Sequence, residues 1–270
     1  MTVRVLLVGC GNMGYAMLSG WLGSGKLASS ETLVVEPNED LRHRAARLGS
    51  VVATSNAELP DDLSPEIIVI AVKPQVIREV VAGYKRFAGQ ATFLSIAAGT
   101  AIATFTEILE PDAAVIRCMP NTPAAIGKGM MVVFSNPNVA AKTKAFVGDL
   151  LSASGEVATI GDEGLMDAVT AVSGSGPAYI FHFIECLTAA AEKAGLPAET
   201  AKLLAMQTVY GAASLAAESR EDPATLRKQV TSPNGTTAAA LGVLMGGDRL
   251  KTLLAEAVEA ARARSVELGK

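Results

Sequence analysis

A glycine-rich turn between an apolar segment and a helical pattern constrains the fold of this chain more than any other feature. Residues 3–8 predict a buried strand, residues 15–22 predict a helix, and residues 9–14 between them carry the pattern G-x-G-x-x-G. The first glycine permits a tight turn, the second lets a pyrophosphate approach the backbone, and the third lets the helix pack against the strand. This context predicts a dinucleotide site, and a purely structural turn is the alternative. The cofactor contacts predicted in the turn are Gly9, Gly11, Asn12, Met13 and Gly14.

An acidic residue closes the second predicted strand. Residues 32–36 form an apolar run that ends on Glu36, 22 residues after the last glycine of the turn. Folds of this kind place there the carboxylate that accepts the ribose hydroxyls. Asn38, Arg42 and Arg44 follow closely and are able to accommodate a 2′-phosphate. The prediction is therefore NAD(P)H, with NADH favoured by Glu36.

Strand and helix patterns alternate as far as residue 160. Further strands are predicted at 51–53, 66–72, 92–96, 114–118, 130–134 and 155–160, and helices at 39–48, 102–109 and 140–151. This alternation predicts an α/β fold with a doubly wound (Rossmann-type) parallel sheet. Beyond it, helices are predicted at 164–172, 177–194, 198–219, 223–230, 236–245 and 249–268. We therefore expect a dinucleotide-binding domain over residues 1–161 and an all-helical dimerisation and substrate domain over residues 162–270.

The helical half has a composition that favours association. It is rich in alanine clusters and poor in aromatic residues. Small residues let helix axes approach closely, and wide apolar faces are hard to bury within one short chain. We expect a homodimer through this half and leave a higher oligomer open, with a monomeric bundle as the alternative.

Two turns at the carboxyl edge of the sheet are predicted to complete the cofactor site. The strand at 66–72 runs into a Lys-Pro pair, where proline ends the ladder at the edge on which α/β sheets bind ligands. The strand at 114–118 opens into Met-Pro-Asn-Thr-Pro, a rigid wall suited to the nicotinamide side. The contacts predicted in these two turns, with Lys73 acting through its backbone, are Ala71, Val72, Lys73, Pro74 and Asn121. A further contact, Asn56, is predicted in the turn that follows the strand at 51–53.

Two segments rich in serine, threonine and glycine are predicted to bind the substrate. Residues 170–179 join the two halves, and their glycines let the backbone approach a flat ligand closely. Residues 230–237 contain a Pro-Asn-Gly turn whose amides converge at a helix N-terminus, which suits a small carboxylate. A flexible linker and an ordinary capped helix start are the alternatives. The predicted substrate contacts are Ser173, Gly174, Ser175, Pro177, Ser232, Gly235, Thr236 and Thr237.

Composition excludes several classes of partner. Half of the 270 residues are hydrophobic and the net charge is −4, so no basic surface is offered to nucleic acid or to a membrane. The densest apolar run, residues 67–72, is far shorter than the roughly 20 residues that span a bilayer. The three cysteines are widely spaced and indicate neither a disulfide framework nor a metal site. The start of the chain lacks a signal-peptide cleavage site, so we expect a cytoplasmic location.

A nicotinamide cofactor implies hydride transfer, and the residue types of the predicted site indicate which kind of substrate accepts the hydride. Oxidising an alcohol needs a base poised near working pH. The two histidines, His43 and His182, fall on predicted helices, and His182 is expected to pack on a helix face. The candidate loops offer neutral hydroxyls and amides instead. Such a site suits a substrate that already accepts hydride, such as a protonated imine whose carboxylate is held by backbone amides.

Five segments of the chain, taken in order, resemble the pyrroline-5-carboxylate reductase family: residues 9–14, 71–74, 119–123, 171–179 and 231–237. The resemblance covers the whole chain, and the last two motifs are specific to the family. It implies reduction of 1-pyrroline-5-carboxylate to L-proline by NAD(P)H, the final step of proline biosynthesis. It also implies that the 231–237 loop holds the carboxylate, that Thr237 is the catalytic residue at the ring nitrogen, and that the loop comes from the partner subunit.

Departures from the family pattern keep alternatives open. Asn234 stands where the family usually has glycine, and Glu36 begins a segment that is usually polar or basic in members preferring NADPH. A 3-hydroxyacid dehydrogenase shares the glycine-rich start, but it needs a helix lysine as base, and Lys193, Lys202 and Lys228 lie in no motif connected with the site. A non-enzymatic nucleotide-sensing module is the third interpretation.

Overall fold

The computed structural model of the chain describes residues 3–269. Short runs rich in β-branched residues form one eight-stranded sheet. The strands are β1 (Val5–Val8), β2 (Thr32–Val35), β3 (Val51–Ala53), β4 (Ile67–Ile70), β5 (Thr92–Ser95), β6 (Val115–Met119), β7 (Gly129–Ser135) and β8 (Gly155–Thr159). The helices are α1 (Asn12–Gly23), α2 (Glu39–Ala46), α3 (Ile77–Ala82), α4 (Ile102–Ile108), α5 (Ala141–Ser152), α6 (Met166–Val169), α7 (Gly176–Lys193), α8 (Ala198–Ser219), α9 (Pro223–Gln229), α10 (Thr236–Met245) and α11 (Arg249–Leu268).

The strand order places the end of β1 at the centre of the sheet. The order is β3-β2-β1-β4-β5-β6-β7-β8, and β1 pairs in parallel with both β2 and β4. In this register Val8 lies opposite Val35 on one side and Ile70 on the other. The carboxyl ends of the three strands therefore meet at one edge, where the strand order changes direction and open α/β sheets bind ligands. The predicted Rossmann-type fold is confirmed.

The sheet is not wholly parallel, which corrects the sequence prediction. β7 runs antiparallel to β6, and β8 runs parallel to β7. The connection between β6 and β7 is residues 120–128, which hold only a five-residue 3₁₀ segment, Thr122–Ile126. A parallel return needs a crossover of a dozen or more residues. The short connection therefore turns the chain back along the sheet.

Helices cover both faces of the sheet. One core layer includes Trp21 of α1 and Leu150 of α5, and the other includes Val81 of α3 and Phe105 of α4. All four side chains are essentially inaccessible to solvent. Burial on both faces explains why the central strands are almost continuously apolar rather than alternating.

The chain divides into two compact units. The first contains residues 3–175 together with 261–269, and the second contains residues 176–260. The sheet ends at Thr159, close to the predicted boundary at 161/162, whereas the compact unit continues to residue 175. Within the first unit, Ser265 near the end of α11 donates a 2.6 Å hydrogen bond to Asp167 Oδ1 on α6. The functional division at 161/162 stays a prediction.

The predicted continuous helix at 164–172 is wrong. The segment is instead a 3₁₀ turn (Glu163–Leu165), the short helix α6 and a π-helical turn (Thr170–Gly174). In the π turn the Ser175 amide donates to the Thr170 carbonyl at 2.8 Å, a five-residue step. Periodicity of apolar residues does not distinguish a π turn from an α-helix over so few residues.

The second unit consists of α7 to α10 and the first part of α11, at nearly the predicted bounds. Only two hydrophobic side chains described in it are buried, those of Ala201 and Ala205. Its exposed large hydrophobic residues include Phe181, Phe183, Leu203, Tyr210, Leu215, Val243, Leu253 and Leu254. Of the helices in residues 3–269, none is long and apolar enough to cross a membrane.

The buried ring of Phe105 provides a test of the first unit's core. We expect Phe105→Ala to lower the free energy of unfolding by about 3–5 kcal/mol, because it removes a buried ring and leaves a cavity under the sheet. The exposed Ile126 is the control, since its truncation should change that free energy by less than about 0.5 kcal/mol. Denaturant unfolding followed by circular dichroism measures both. A loss below about 1 kcal/mol for Phe105→Ala would contradict this packing.

Candidate active site

The glycine turn after β1 is held by close backbone contacts. Gly9 has a φ of +88°, and a Cβ placed on it would lie 2.7 Å from the Ala71 carbonyl oxygen. A Cβ on Gly14 would lie 2.5 Å from the Gly9 carbonyl oxygen. A Cβ on Gly11, in contrast, would meet nothing within 4 Å. Gly9 and Gly14 therefore let the backbone segments of the turn pack closely, whereas Gly11 leaves open space beside its backbone.

That open space lies at the start of α1. The helix begins at Asn12, three residues earlier than predicted, with Gly11 as its N-cap, and no side chain caps it. Among the first amides of the helix are those of Asn12 and Met13. Uncapped amides and the helix dipole favour an anion here. The cradle fits the pyrophosphate of a dinucleotide.

Glu36 links β2 to the glycine turn. Its carboxylate is 6% exposed; Oε2 accepts from the Cys10 amide at 2.7 Å and Oε1 accepts from the Asn38 amide at 2.9 Å. Hydrogen bonds to an ionised acceptor are strong, so this side chain holds the turn as well as facing the cavity beside it. A carboxylate has about four lone-pair sites, which leaves acceptor capacity for ribose hydroxyls.

The basic residues near Glu36 are occupied by backbone carbonyls. Arg42 donates to the carbonyls of Glu36 and Pro37, each at 2.9 Å. Arg44 donates from Nη2 to the carbonyls of Cys10 and Gly11, and its guanidinium lies 4.0 Å from the centroid of the Tyr15 ring. The Asn38 side chain caps α2 by accepting from the Leu41 amide.

Two cavities flank the glycine turn. One, of about 700 Å³, lies over the ends of β1 and β2, and among its lining residues are Gly9, Gly11, Glu36, Asn56, Ala71, Val72 and Lys73. The other, of about 420 Å³, lies over the ends of β4, β5 and β6, and among its lining residues are Gly11, Asn12, Met13, Ala71, Val72, Lys73, Pro74, Asn121 and Gly174. These two cavities thus bring together all the predicted cofactor residues except Gly14. Gly14 instead packs against the Gly9 carbonyl inside the turn.

One wall of the smaller cavity was not predicted. Ile96, Ala97 and Ala98, which follow β5, line it. Their sequence carries no charged or hydroxyl group, so a search for chemically distinctive residues passes over them. The available signal was positional: they follow a buried strand at the carboxyl edge of the sheet.

A partly buried ion pair lies at the same edge of the sheet. Arg117 on β6 bonds to Glu163 Oε1 at 2.7 Å, and the same oxygen accepts from the Ile102 amide at the start of α4 at 2.8 Å. The side chains are only 11% and 28% exposed. Removing one partner of such a pair leaves an uncompensated charge. Sequence patterns did not indicate this contact, because its members are far apart in the chain.

Asn121 and the π turn meet at the smaller cavity. Asn121 Nδ2 donates to the Ser173 carbonyl at 3.2 Å and lies 3.4 Å from Ser173 Oγ, while Oδ1 accepts from the Met130 amide at 2.9 Å. Gly174 lies next to Met119, since a Cβ on it would be 2.4 Å from the Met119 methyl group. Ser175 ends the turn. Among the predicted substrate residues, Ser173 and Gly174 are thus at the cofactor edge.

The remaining predicted substrate residues lie in the second unit. Asn234 has a φ of +59°, a left-handed conformation that glycine adopts freely and asparagine tolerates. Gly235 is the N-cap of α10, with an extended backbone at a φ of −79°, and no side chain caps that helix. The amides of Thr236 and Thr237 open α10, while Ser232 precedes the turn. Pro177 lies in the first turn of α7.

The histidine His182 and the three cysteines differ in exposure. The His182 side chain is 75% exposed and lies along its own helix, with Nδ1 3.0 Å from Glu185 Oε2 and Nε2 3.5 Å from Cys186 Sγ. Burial raises the pKa of Cys10 to about 11 and that of Cys118 to about 12, so both thiols are protonated near neutral pH and poor nucleophiles. Cys186 is free and exposed. Within residues 3–269, no group of three or more metal-ligating side chains is placed to hold a metal.

Comparisons with known proteins decide the family. Residues 163–268 match the family model described as pyrroline-5-carboxylate reductase dimerisation, and residues 4–99 match the model described as NADP oxidoreductase, coenzyme F420-dependent. A pyrroline-5-carboxylate reductase of Pseudomonas aeruginosa is 38% identical over 271 residues, covering 100% of this chain and 98% of the relative. The chain belongs to the pyrroline-5-carboxylate reductase family. Family members are NAD(P)-dependent oxidoreductases.

Solved structures of pyrroline-5-carboxylate reductases agree over the full length. The reductase from Coxiella burnetii has a TM-score of 0.92 at 33% identity and covers 100% of both chains. The reductase from Plasmodium falciparum, solved with NADP bound, has a TM-score of 0.85 at 31% identity and covers 99% of this chain and 98% of its own. The likeness extends across both compact units.

The close packing of Gly14 yields a test of the cradle. We expect Gly14→Ala to weaken NADH and NADPH binding by more than about tenfold, because its Cβ would displace the Gly9 carbonyl and distort the turn. Gly23→Ala in the same helix is the matched control, since a Cβ there meets nothing within 4 Å. Cofactor titration followed by fluorescence measures both. Equal affinities for the two variants would contradict the role of the turn.

Proposed function

We propose that this chain reduces 1-pyrroline-5-carboxylate to L-proline with NAD(P)H, the last step of proline biosynthesis. The observation that carries the proposal is the smaller cavity at the cofactor edge, whose lining is neutral apart from Lys73, in a chain of this family. A neutral lining suits an acceptor that brings its own positive charge. A protonated cyclic imine is such an acceptor, and it needs no strong base from the protein.

In this proposal the bound cofactor supplies the hydride that adds to the imine carbon. The amides at the start of α1 hold the pyrophosphate, and Glu36 accepts from a ribose. The loop of residues 231–237 holds the substrate carboxylate on backbone amides at the start of α10. Thr237 Oγ1 hydrogen-bonds the ring nitrogen, which keeps its proton as the carbon–nitrogen double bond becomes single.

The proposal is tested by the absorbance of reduced nicotinamide with purified protein. We expect NADH or NADPH to be consumed only when 1-pyrroline-5-carboxylate is present, with proline as the product. Reduction of NAD by 3-hydroxy acids would identify the dehydrogenase alternative instead. Binding of cofactor with neither reaction would identify a nucleotide-sensing module.

The assembly proposed is a homodimer formed through the helical unit. Residues 163–268 match a dimerisation model, and the second unit exposes large hydrophobic side chains while burying only two alanines among its described hydrophobic residues. Covering such a face is strongly favourable, at roughly 25 cal/mol per Å² of apolar surface. A higher oligomer and a cytoplasmic location remain predictions.

We further propose that Glu36 favours NADH, because a 2′-phosphate beside a buried carboxylate would be repelled. Glu36→Ser should shift the ratio of kcat/KM toward NADPH by about tenfold, which corresponds to about 1.4 kcal/mol. The substitution also removes the bonds to the Cys10 and Asn38 amides, but that loss affects both cofactors and cancels in the ratio. Glu39→Ser, an exposed residue with the same charge change, is the control and should shift the ratio less than about threefold. An unchanged ratio for Glu36→Ser would refute the assignment.

Thr237 is proposed to orient the imine nitrogen rather than to donate its proton. We expect Thr237→Ala to lower kcat/KM by one to three orders of magnitude, about 1.4–4 kcal/mol of transition-state stabilisation, with cofactor affinity nearly unchanged. Thr237→Ser keeps the hydroxyl and should recover much of the activity. Thr225→Ala on the exposed face of α9 is the control. Full activity of Thr237→Ala, or loss of cofactor binding in step with turnover, would favour a helix-start role instead.

A further inference from the structure

The side chain of Asn121 is placed to hold the π turn rather than to bind the cofactor. We propose that Asn121 is a positioning residue, which fixes the π turn Thr170–Gly174 as one wall of the smaller cavity and so sets the position of the substrate beside the nicotinamide. The inference rests on the proposed function and adds a residue to its site. It assigns Asn121 a role other than the cofactor contact that the sequence predicts.

Both ends of the Asn121 amide are already engaged. Nδ2 donates to the Ser173 carbonyl, and Oδ1 accepts from the Met130 amide at the start of β7. The side chain therefore bridges the β6–β7 connection and the π turn, two segments about fifty residues apart in sequence. Nδ2 also lies 3.4 Å from Ser173 Oγ, and Oδ1 keeps a second lone pair, so the assignment as a positioning residue rests on the two backbone bonds that the amide makes.

The sequence explains why the Ser173 carbonyl takes a side-chain donor. In an α-helix this carbonyl would accept from the amide four residues later, but that residue is Pro177, which has no N–H. The chain also follows a five-residue step here, from the Ser175 amide to the Thr170 carbonyl. π turns are rare and costly, and they occur often at functional sites. Asn121 provides a donor from outside the helix.

The position of the turn matters for the cavity. Gly174, the last residue of the π turn, lines the cavity together with Met119 and Ala97. Its backbone lies close against the Met119 side chain, so a shift of the turn changes the space available to a substrate. A displacement of about 1 Å at a reacting pair is enough to lower the rate by about a hundredfold. The hydrogen bonds of Asn121 do not involve residues 9–14, although Gly11, Asn12 and Met13 line the same cavity.

Asn136 offers a matched control. Its amide bridges backbone groups in the same way, with Nδ2 donating to the Ala113 carbonyl at 2.8 Å and Oδ1 accepting from the Val115 amide at 3.1 Å. These partners lie at the start of β6, whereas Asn121 follows its end. Asn136→Ala thus removes a similar pair of hydrogen bonds away from the cavity.

The experiment compares Asn121→Ala with Asn136→Ala by three measurements. These are kcat and KM for 1-pyrroline-5-carboxylate, the Kd for NADPH, and amide hydrogen exchange of the peptide covering residues 170–176. We expect Asn121→Ala to lower kcat by about tenfold or more, to leave the Kd within about twofold, and to speed exchange in the peptide. Asn136→Ala should lower the Tm to a similar extent without changing kcat, Kd or exchange in the peptide.

Several results would overturn the inference. These are a kcat for Asn121→Ala close to that of the wild type, equal losses of kcat and cofactor affinity, and an equal loss of kcat in Asn136→Ala. If Asn121→Ala fails to fold, Asn121→Asp takes its place, because it keeps the acceptor for the Met130 amide and replaces the donor to Ser173 with a negatively charged oxygen. The same criteria then apply to it. A wild-type protein inactive on 1-pyrroline-5-carboxylate would refute the proposed function, while hydrogen exchange in residues 170–176 would still decide whether Asn121 holds the turn.

Discussion

The structure depends on the contact between the Gly9 turn and the end of β4. Gly9 lies against the Ala71 carbonyl at a distance that excludes any side chain, and Gly14 lies equally close to Gly9. Because β1 pairs with both β2 and β4, this contact fixes three strand ends and the start of α1 in one place. Glu36 adds a second constraint by accepting from the Cys10 amide. The cradle for a dinucleotide therefore depends first on backbone packing, and the Glu36 side chain holds the turn in addition.

The remainder of the edge is built by connections of different lengths. Long connections, with an α-helix in each except that between β3 and β4, keep the first six strands parallel and bring their carboxyl ends to one side. The short 120–128 connection instead reverses the chain and produces an antiparallel β7. Met119 at the end of β6 and Asn121 in that connection both line the cavity over β4, β5 and β6, where they meet the π turn. The connection that makes β7 antiparallel therefore also supplies part of the lining of this cavity.

Much of this was predictable because it is local in the sequence. The apolar strand, the glycine pattern and the helix that follow one another at residues 3–23 define their own geometry, and most helices of the second unit agree with the predicted bounds. The antiparallel β7, the π turn, the double use of the Glu36 carboxylate and the Arg117–Glu163 pair were not predicted. Each depends on groups distant in sequence or on hydrogen-bond steps that apolar periodicity does not report. Asn121 was identified as a site residue from its rigid loop, but its partners become evident only from the fold.

The central claim is that the glycine cradle and the neutral 231–237 loop serve one imine-reducing site in the assembled protein. The most direct measurement is a crystal structure of the protein with NAD(P)H and an unreactive proline analogue. The account predicts the pyrophosphate on the amides that open α1, the nicotinamide between Ala97 and Gly174, and the analogue's carboxylate on the amides that open α10, with its ring nitrogen within hydrogen-bonding distance of Thr237 Oγ1. An analogue bound away from the 231–237 loop, or a nicotinamide outside the cavity lined by Gly174, would contradict it.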